Sequence, residues 1–160
     1  MAVTGFWFTH NIAQAYGETN GLLTTKLNWV ADSASMRCAL MHSTYTPNQT
    51  GQDFWNDVSA YDVDEVGAVT GYTSGGKAIG TTEMTTTGGS GKVVKFSAGA
   101  TCVWTSATLT ASYAVIYKEA ASAATSPLIA YLNFGTDVPA VAGDFTITWH
   151  TDGIATITVS

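Results

Sequence analysis

Short runs of apolar and β-branched residues, separated by clusters of Gly, Asn, Asp and Ser, recur along this chain at intervals of roughly 8 to 12 residues. That spacing fits a sandwich or barrel, in which each strand soon turns back, and not βαβ units with their long crossovers. Strands are expected near residues 2–9, 24–31, 36–43, 78–86, 92–97, 107–118, 127–134, 144–150 and 154–159.

Strict alternation along 107–118 places Leu109, Tyr113, Val115 and Tyr117 on one face and Thr108, Thr110 and Ser112 on the other. The run 127–134 is apolar on both faces, which predicts a central strand or one covered by a partner. Residues 144–150 and 154–159 flank Asp152-Gly153 and read as a hairpin. A two-residue loop would set Trp149 opposite Thr156. A three-residue loop with Gly153 left-handed pairs Trp149 with Ala155, Ile147 with Ile157 and Phe145 with Val159, so the pattern selects it.

A short helix is expected at 52–58, capped by Thr50 or Asp53, with Phe54, Trp55 and Val58 on one side. Residues 11–16, ended by Gly17, suggest a second brief helical turn. Two Gly-rich loops, 71–76 and 85–91, look mobile in isolation. The fold class expected is all-β: a single antiparallel β-sandwich or jelly-roll-like domain over 1–160 with one or two short helices, residues 1–22 being set apart as a candidate N-terminal arm.

Composition sharpens this picture. Charged residues make up 11% of the chain, against roughly 25% in an ordinary domain, so much of the surface must be uncharged. Threonine fills that role with 26 of 160 residues, its β-branch suiting a pleated strand and its hydroxyl tolerating water. A net charge of -6 without a basic run disfavours direct nucleic-acid binding. No stretch approaches the roughly 18 apolar residues that cross a bilayer, and the first residues lack the basic-then-apolar order of an export signal. Without such a signal, Cys38 and Cys102 are expected as buried reduced thiols, a disulfide being the minority reading.

Candidate chemistry is sparse. His10, His42 and His150 have no Cys or acid at metal-ligand spacing, and neither cysteine lies in a CxxC motif. Gly-x-Ser-x-Gly, His-Glu-x-x-His and a phosphate-loop ending are all missing, so no nucleophile is nominated and no cofactor is expected. Asp53, Asp57, Asp62, Asp64 and Glu65 gather in 13 residues without EF-hand spacing, and capping of short helices is favoured over calcium. Asn48-Gln49-Thr50 matches a glycosylation pattern without consequence. Core packing is favoured over sugar stacking for Trp7, Trp29, Trp55, Trp104 and Trp149.

Four ordered segments carry a resemblance. They are Ser43-Thr-Tyr-Thr-Pro-Asn-Gln49 leading to Asp53-Phe-Trp-Asn-Asp-Val58; Gly71-Tyr-Thr-Ser-Gly-Gly76; Tyr113-Ala-Val-Ile-Tyr-Lys118 leading to Thr125-Ser-Pro-Leu-Ile-Ala-Tyr131; and Gly143-Asp-Phe-Thr-Ile-Thr-Trp149 with Asp152-Gly-Ile154. Together the chain resembles a group of small structural proteins of tailed phages over most of 27–159. It departs at Phe6-Trp-Phe8 and Asn28-Trp-Val-Ala-Asp32, which match loosely.

The resemblance implies a non-enzymatic virion protein, assembled in the host cytoplasm, whose partners are the major capsid protein or other virion proteins and copies of itself. Capsid decoration is the preferred position. A tail, tail-fibre or head-tail connector component and a carbohydrate-binding module for host attachment are the alternatives. Exposed parts of Phe6, Trp7, Phe8, Tyr45, Pro47, Asn48, Phe54, Trp55 and Tyr72 are the candidate interface, because aromatic side chains are enriched at interface hot spots.

Overall fold

In a computed structural model, which describes residues 4–9, 27–87 and 93–158, the β-branched runs pair into two antiparallel sheets packed together. The strands are β1 (Thr4–Trp7), β2 (Met36–Met41), β3 (Lys77–Ala78), β4 (Thr82–Thr87), β5 (Val93–Ala98), β6 (Cys102–Lys118), β7 (Leu128–Ile147) and β8 (Ala155–Thr158). One sheet has the order β1-β7-β6-β2-β3 and the other β4-β5-β8. A four-residue helix, α1 (Val63–Val66), and several 3-10 turns complete the described residues. The expected helical turn at 11–16, most of the candidate arm, His10, and residues 88–91 of the second Gly-rich loop lie outside them.

The larger sheet buries both faces. Its inner face, with Cys38, Leu40, Trp104, Ile116, Ile129 and Leu132, packs on Trp29 and on Phe96, Ala98 and Ile154 of the smaller sheet side. Trp7 and Trp29 both meet the Phe96 ring edge-on, at 4.8 and 5.8 Å between centroids. Its outer face forms a second core, where Ala39, Met41, Val115, Tyr117, Leu128 and Tyr131 are roofed by Tyr45, Trp55 and Val58 from the segment after β2. This explains the run 127–134: it is a central strand, held between β1 and β6 and covered on both sides.

Several local expectations are corrected, each for a physical reason. Residues 27–32 make a turn and no strand, because the Asn28 and Asp32 side chains capture nearby backbone: Asn28 N–H donates to Asp32 Oδ2 at 2.8 Å and Ala31 N–H to Asn28 Oδ1 at 3.0 Å. The run 78–86 is broken at Gly80, φ +75°, where the chain crosses from β3 in one sheet to β4 in the other. The expected helix at 52–58 is only a 3-10 turn, Trp55–Asp57. Backbone from Asp53 to Trp55 is engaged elsewhere, with Leu128 N–H donating to Asp53 O at 2.9 Å and Trp55 N–H to Ser126 O at 2.8 Å.

The run beginning at 107 starts earlier, at Cys102, and its face assignment changes midway. A register shift between Ala111 and Tyr113 places Leu109 in the inner core, while Tyr113, Val115 and Tyr117 belong to the outer one. Between those two pairs β6 advances by two residues and β7 by five, and this odd difference inverts the alternation of one strand relative to the other. Strands expected at 127–134 and 144–150 are one strand, β7, which accommodates Gly135 at φ +77° and Ala142 at φ +49° without ending.

The C-terminal hairpin is also corrected. Gly153 is left-handed, φ +87°, but β7 pairs with β6, Phe145 opposite Trp104 and Ile147 opposite Cys102, while β8 pairs with β5, Ala155 opposite Phe96 and Ile157 opposite Val94. Two contacts divert the chain after β7. The Trp149 indole N–H donates to Ala100 O at 2.7 Å, and Ile154 N–H donates to Phe96 O at 2.7 Å. A Cβ on Gly153 would lie 2.5 Å from that same Phe96 oxygen, so this close approach requires glycine as much as the turn does.

Candidate interaction surface

The turn at 45–52 is built by its own polar side chains. Asn48 Oδ1 accepts from Thr50 N–H, Thr50 Oγ1 and Gly51 N–H at 3.1 to 3.2 Å, and Gln52 Oε1 accepts from Asn48 N–H at 2.9 Å and Tyr45 Oη at 3.1 Å. Gln49 then straps this turn to the end of β1: its Nε2 donates to Trp7 O at 2.6 Å and its carbonyl accepts from Thr9 N–H at 3.0 Å. Sequence positions 6–9 and 45–52 thereby become one continuous surface.

The nine candidate contact residues divide sharply by depth. Phe8, Tyr45 and Trp55 are buried in the outer core, where Trp55 stacks on Tyr117 at 4.4 Å and Tyr45 meets Tyr113 at 90°. Trp7 is half-buried between the sheets, Tyr72 is half-buried in a separate site, and Pro47 and Phe54 are half-buried at the turn. Phe6 and Asn48 face solvent. Phe6 is 37% exposed and stacks on Tyr131 at 4.9 Å, which holds its ring in place. The surface left by this division is a fixed aromatic ring beside uncharged amides and hydroxyls. Contact there requires little charge desolvation and little side-chain ordering.

Of the tryptophans, Trp29, Trp55 and Trp104 are core residues. Trp149 is half-buried on a cleft of about 340 Å³ that also has Gly5, Phe134, Phe145, His150 and Ile154 in its walls. His150 is exposed and lies 3.2 Å from Asp152, and His42 contacts Thr44. No group of three potential metal ligands forms among the described residues. In the acidic stretch the N-cap of the Trp55–Asp57 turn is Phe54 and not the expected Thr50 or Asp53, and Asp57 reaches back to it, its Oδ2 accepting from Asp53 and Phe54 N–H at 2.9 and 3.0 Å.

Asp62 does something that spacing did not announce. It is fully buried, and its carboxylate accepts from Asp64 N–H, Tyr72 Oη and Gly75 N–H at 3.1, 3.2 and 2.8 Å. Burial pushes its carboxyl above the ordinary value of 3.8, against the lowering effect of those donors. The Tyr72 hydroxyl also accepts from Leu40 N–H at 3.0 Å, and its own ionisation is pushed far up by burial and by the Asp62 charge. The loop 71–76 is therefore held to β2 by a buried polar bridge. Gly76, φ +72°, passes so close to β2 that a Cβ there would lie 2.0 Å from Cys38 O. Comparison with protein-family models, with curated proteins and with solved structures gives no match.

Proposed function

We propose that this chain is a non-enzymatic structural protein of a tailed-phage particle, and that it decorates the outer capsid by docking the β1 and 45–52 surface against shell subunits. The observation that carries the reading is the placement of the resembling motifs. They form the joints of one framework: the 43–58 segment roofs the outer core, the 71–76 loop is bridged to β2, and 113–118 with 125–131 forms the central strand pair. A framework fixed at these joints presents Phe6 and the Asn48 turn rigidly, which suits a protein whose task is contact.

The test is a density map of purified particles, into which the chain is fitted. Decoration requires copies on the capsid exterior in numbers comparable to the shell protein, and density confined to the tail or the head-tail connector would move the protein there. Finding it absent from particles would refute every virion role.

A second reading, a glycan-binding module, draws on Trp149 at its cleft. A glycan array read with wild type and Trp149→Ala decides it: saturable binding lost in the variant supports the module, and a blank array removes it.

A further inference from the structure

Cys38 and Cys102 stand 64 positions apart in the chain, yet the fold brings them together. Cys38 lies in β2 opposite Lys77 of β3, and Cys102 opens β6 with its Sγ 4.0 Å from the carbonyl of Ala78, the next residue of β3. Both thiols are buried in the inner core, both are free, and they share a hydrogen bond.

The two sulfurs are not equivalent. The shared hydrogen bond holds the Cys38 thiol up and brings the Cys102 thiol down; burial raises both, and the Lys77 ammonium further favours ionised Cys102. The thiolate is the nucleophilic form of cysteine. Cys102 also adjoins the exposed stretch 99–101, so local opening at the start of β6 exposes it before Cys38, which is central in β2.

We propose that Cys38 and Cys102 form a dithiol pair that a small-molecule disulfide oxidises within the folded protein, joining β2 to the start of β6. The Cys102 thiolate attacks one sulfur of the small disulfide, whose S–S bond breaks and releases one thiolate. That thiolate takes the Cys38 proton. The Cys38 thiolate then attacks the Cys102 sulfur of the mixed disulfide, forming the internal bond and expelling the second small thiolate, which takes up the proton that Cys102 released on ionising. Two protein thiols are oxidised and one small disulfide is reduced to two thiols. This inference does not depend on the proposed function.

The experiment incubates the folded, full-length protein with glutathione disulfide and reads intact mass and free thiols, with and without subsequent reductant. The expected product has lost two hydrogens and both thiols, carries no glutathione, reverts with reductant, and unfolds at a higher urea midpoint. Cys38→Ser is expected to trap one glutathione on Cys102, located by peptide mapping. Retention of both thiols in wild type, stable glutathione adducts in wild type, or closure only in unfolding concentrations of urea would each overturn the proposal. The wild-type mass alone decides it if the variant does not fold.

Discussion

Replacing Tyr72 with Phe removes one oxygen, and the structure says what that oxygen does. β3 begins only at Lys77, opposite Cys38, so the Leu40 N–H further along β2 is met by the Tyr72 hydroxyl at 3.0 Å. The same hydroxyl donates to Asp62 Oδ2 at 3.2 Å. An orphaned buried N–H costs about 1–3 kcal/mol, and a lost hydrogen bond to a carboxylate about 1.5–3 kcal/mol. Because one group serves both, these do not simply add, and the expected loss is about 2–4 kcal/mol. With a urea dependence near 2 kcal/mol/M, the unfolding midpoint falls by about 1–2 M. Asp62→Asn is expected to lose a similar amount, since its NH2 must face one of the N–H donors that the carboxylate now accepts from. The double variant isolates the contact, and its loss should fall short of the sum by at least about 1 kcal/mol. A Tyr72→Phe protein within about 0.5 kcal/mol of wild type, or strict additivity of the pair, would refute the bridge.

The same carboxyl gives a pH signature. Its folded-state pKa is raised, so its contribution to stability is full below the unfolded value of 3.8 and is lost as pH rises through the folded value. Wild type should therefore gain stability relative to Asp62→Asn as pH is lowered from 7 towards 4, read by urea unfolding at each pH. Ala142, at φ +49° and exposed, predicts that Ala142→Gly raises stability by about 0.5–1 kcal/mol, with Thr108 Oγ1 still accepting from the residue-142 N–H. Gly76→Ala should cost at least about 3 kcal/mol or prevent soluble expression, because strained backbone and the Cys38 oxygen act together. Phe6→Ser should change stability by less than about 1 kcal/mol while weakening attachment to capsid shells in a co-sedimentation assay, whereas Trp55→Ala should cost about 3–5 kcal/mol by cavity formation.

The apolar and alternating runs are enough to read the sandwich and the cover on both faces of 127–134, while the choice between a central strand and one covered by a partner is made by its pairing with β1 and β6. What they concealed was partner choice. Thr146 and Thr148 could face Thr158 and Thr156 across a hairpin as well as any other polar face, and the bonds of Trp149 to Ala100 and of Ile154 to Phe96 decide against it. Bulges are hidden for a related reason: Ser112 is as acceptable in an alternating strand as at a register shift, so strict alternation groups Leu109 with the wrong aromatic face. Asn28 and Asp32 do carry a turn signal, spaced so that the Asp32 side chain accepts from Asn28 N–H and the Asn28 side chain from Ala31 N–H, beneath the apolar Trp29-Val30-Ala31 between them. In the interaction surface, aromatic identity pointed to the right segments without their depth. Phe6 and Phe8 both reach Tyr131, at 4.9 and 5.6 Å, and differ in cover, Phe8 lying inside the outer core and Phe6 at its rim, while Asp62 is a buried bridge through Tyr72 and Gly75, ten and thirteen residues away.

The pairing of β1 with the middle of β7 has a consequence for how the molecule is made. Thr4 has its partner in Asn133, so a ribosome adding about 5–20 residues per second keeps β1 waiting for roughly 6 to 26 s after it is synthesised. Through that interval Phe6, Trp7 and Phe8 lack the strand that later receives them and the packing on either face that it completes. On a polysome crowded with nascent copies, the β7 edge of a chain ahead is a competing destination for the same four residues. Exchange of β1 between copies is thus the characteristic error of this topology, and slow synthesis at low temperature is the condition that lengthens its window.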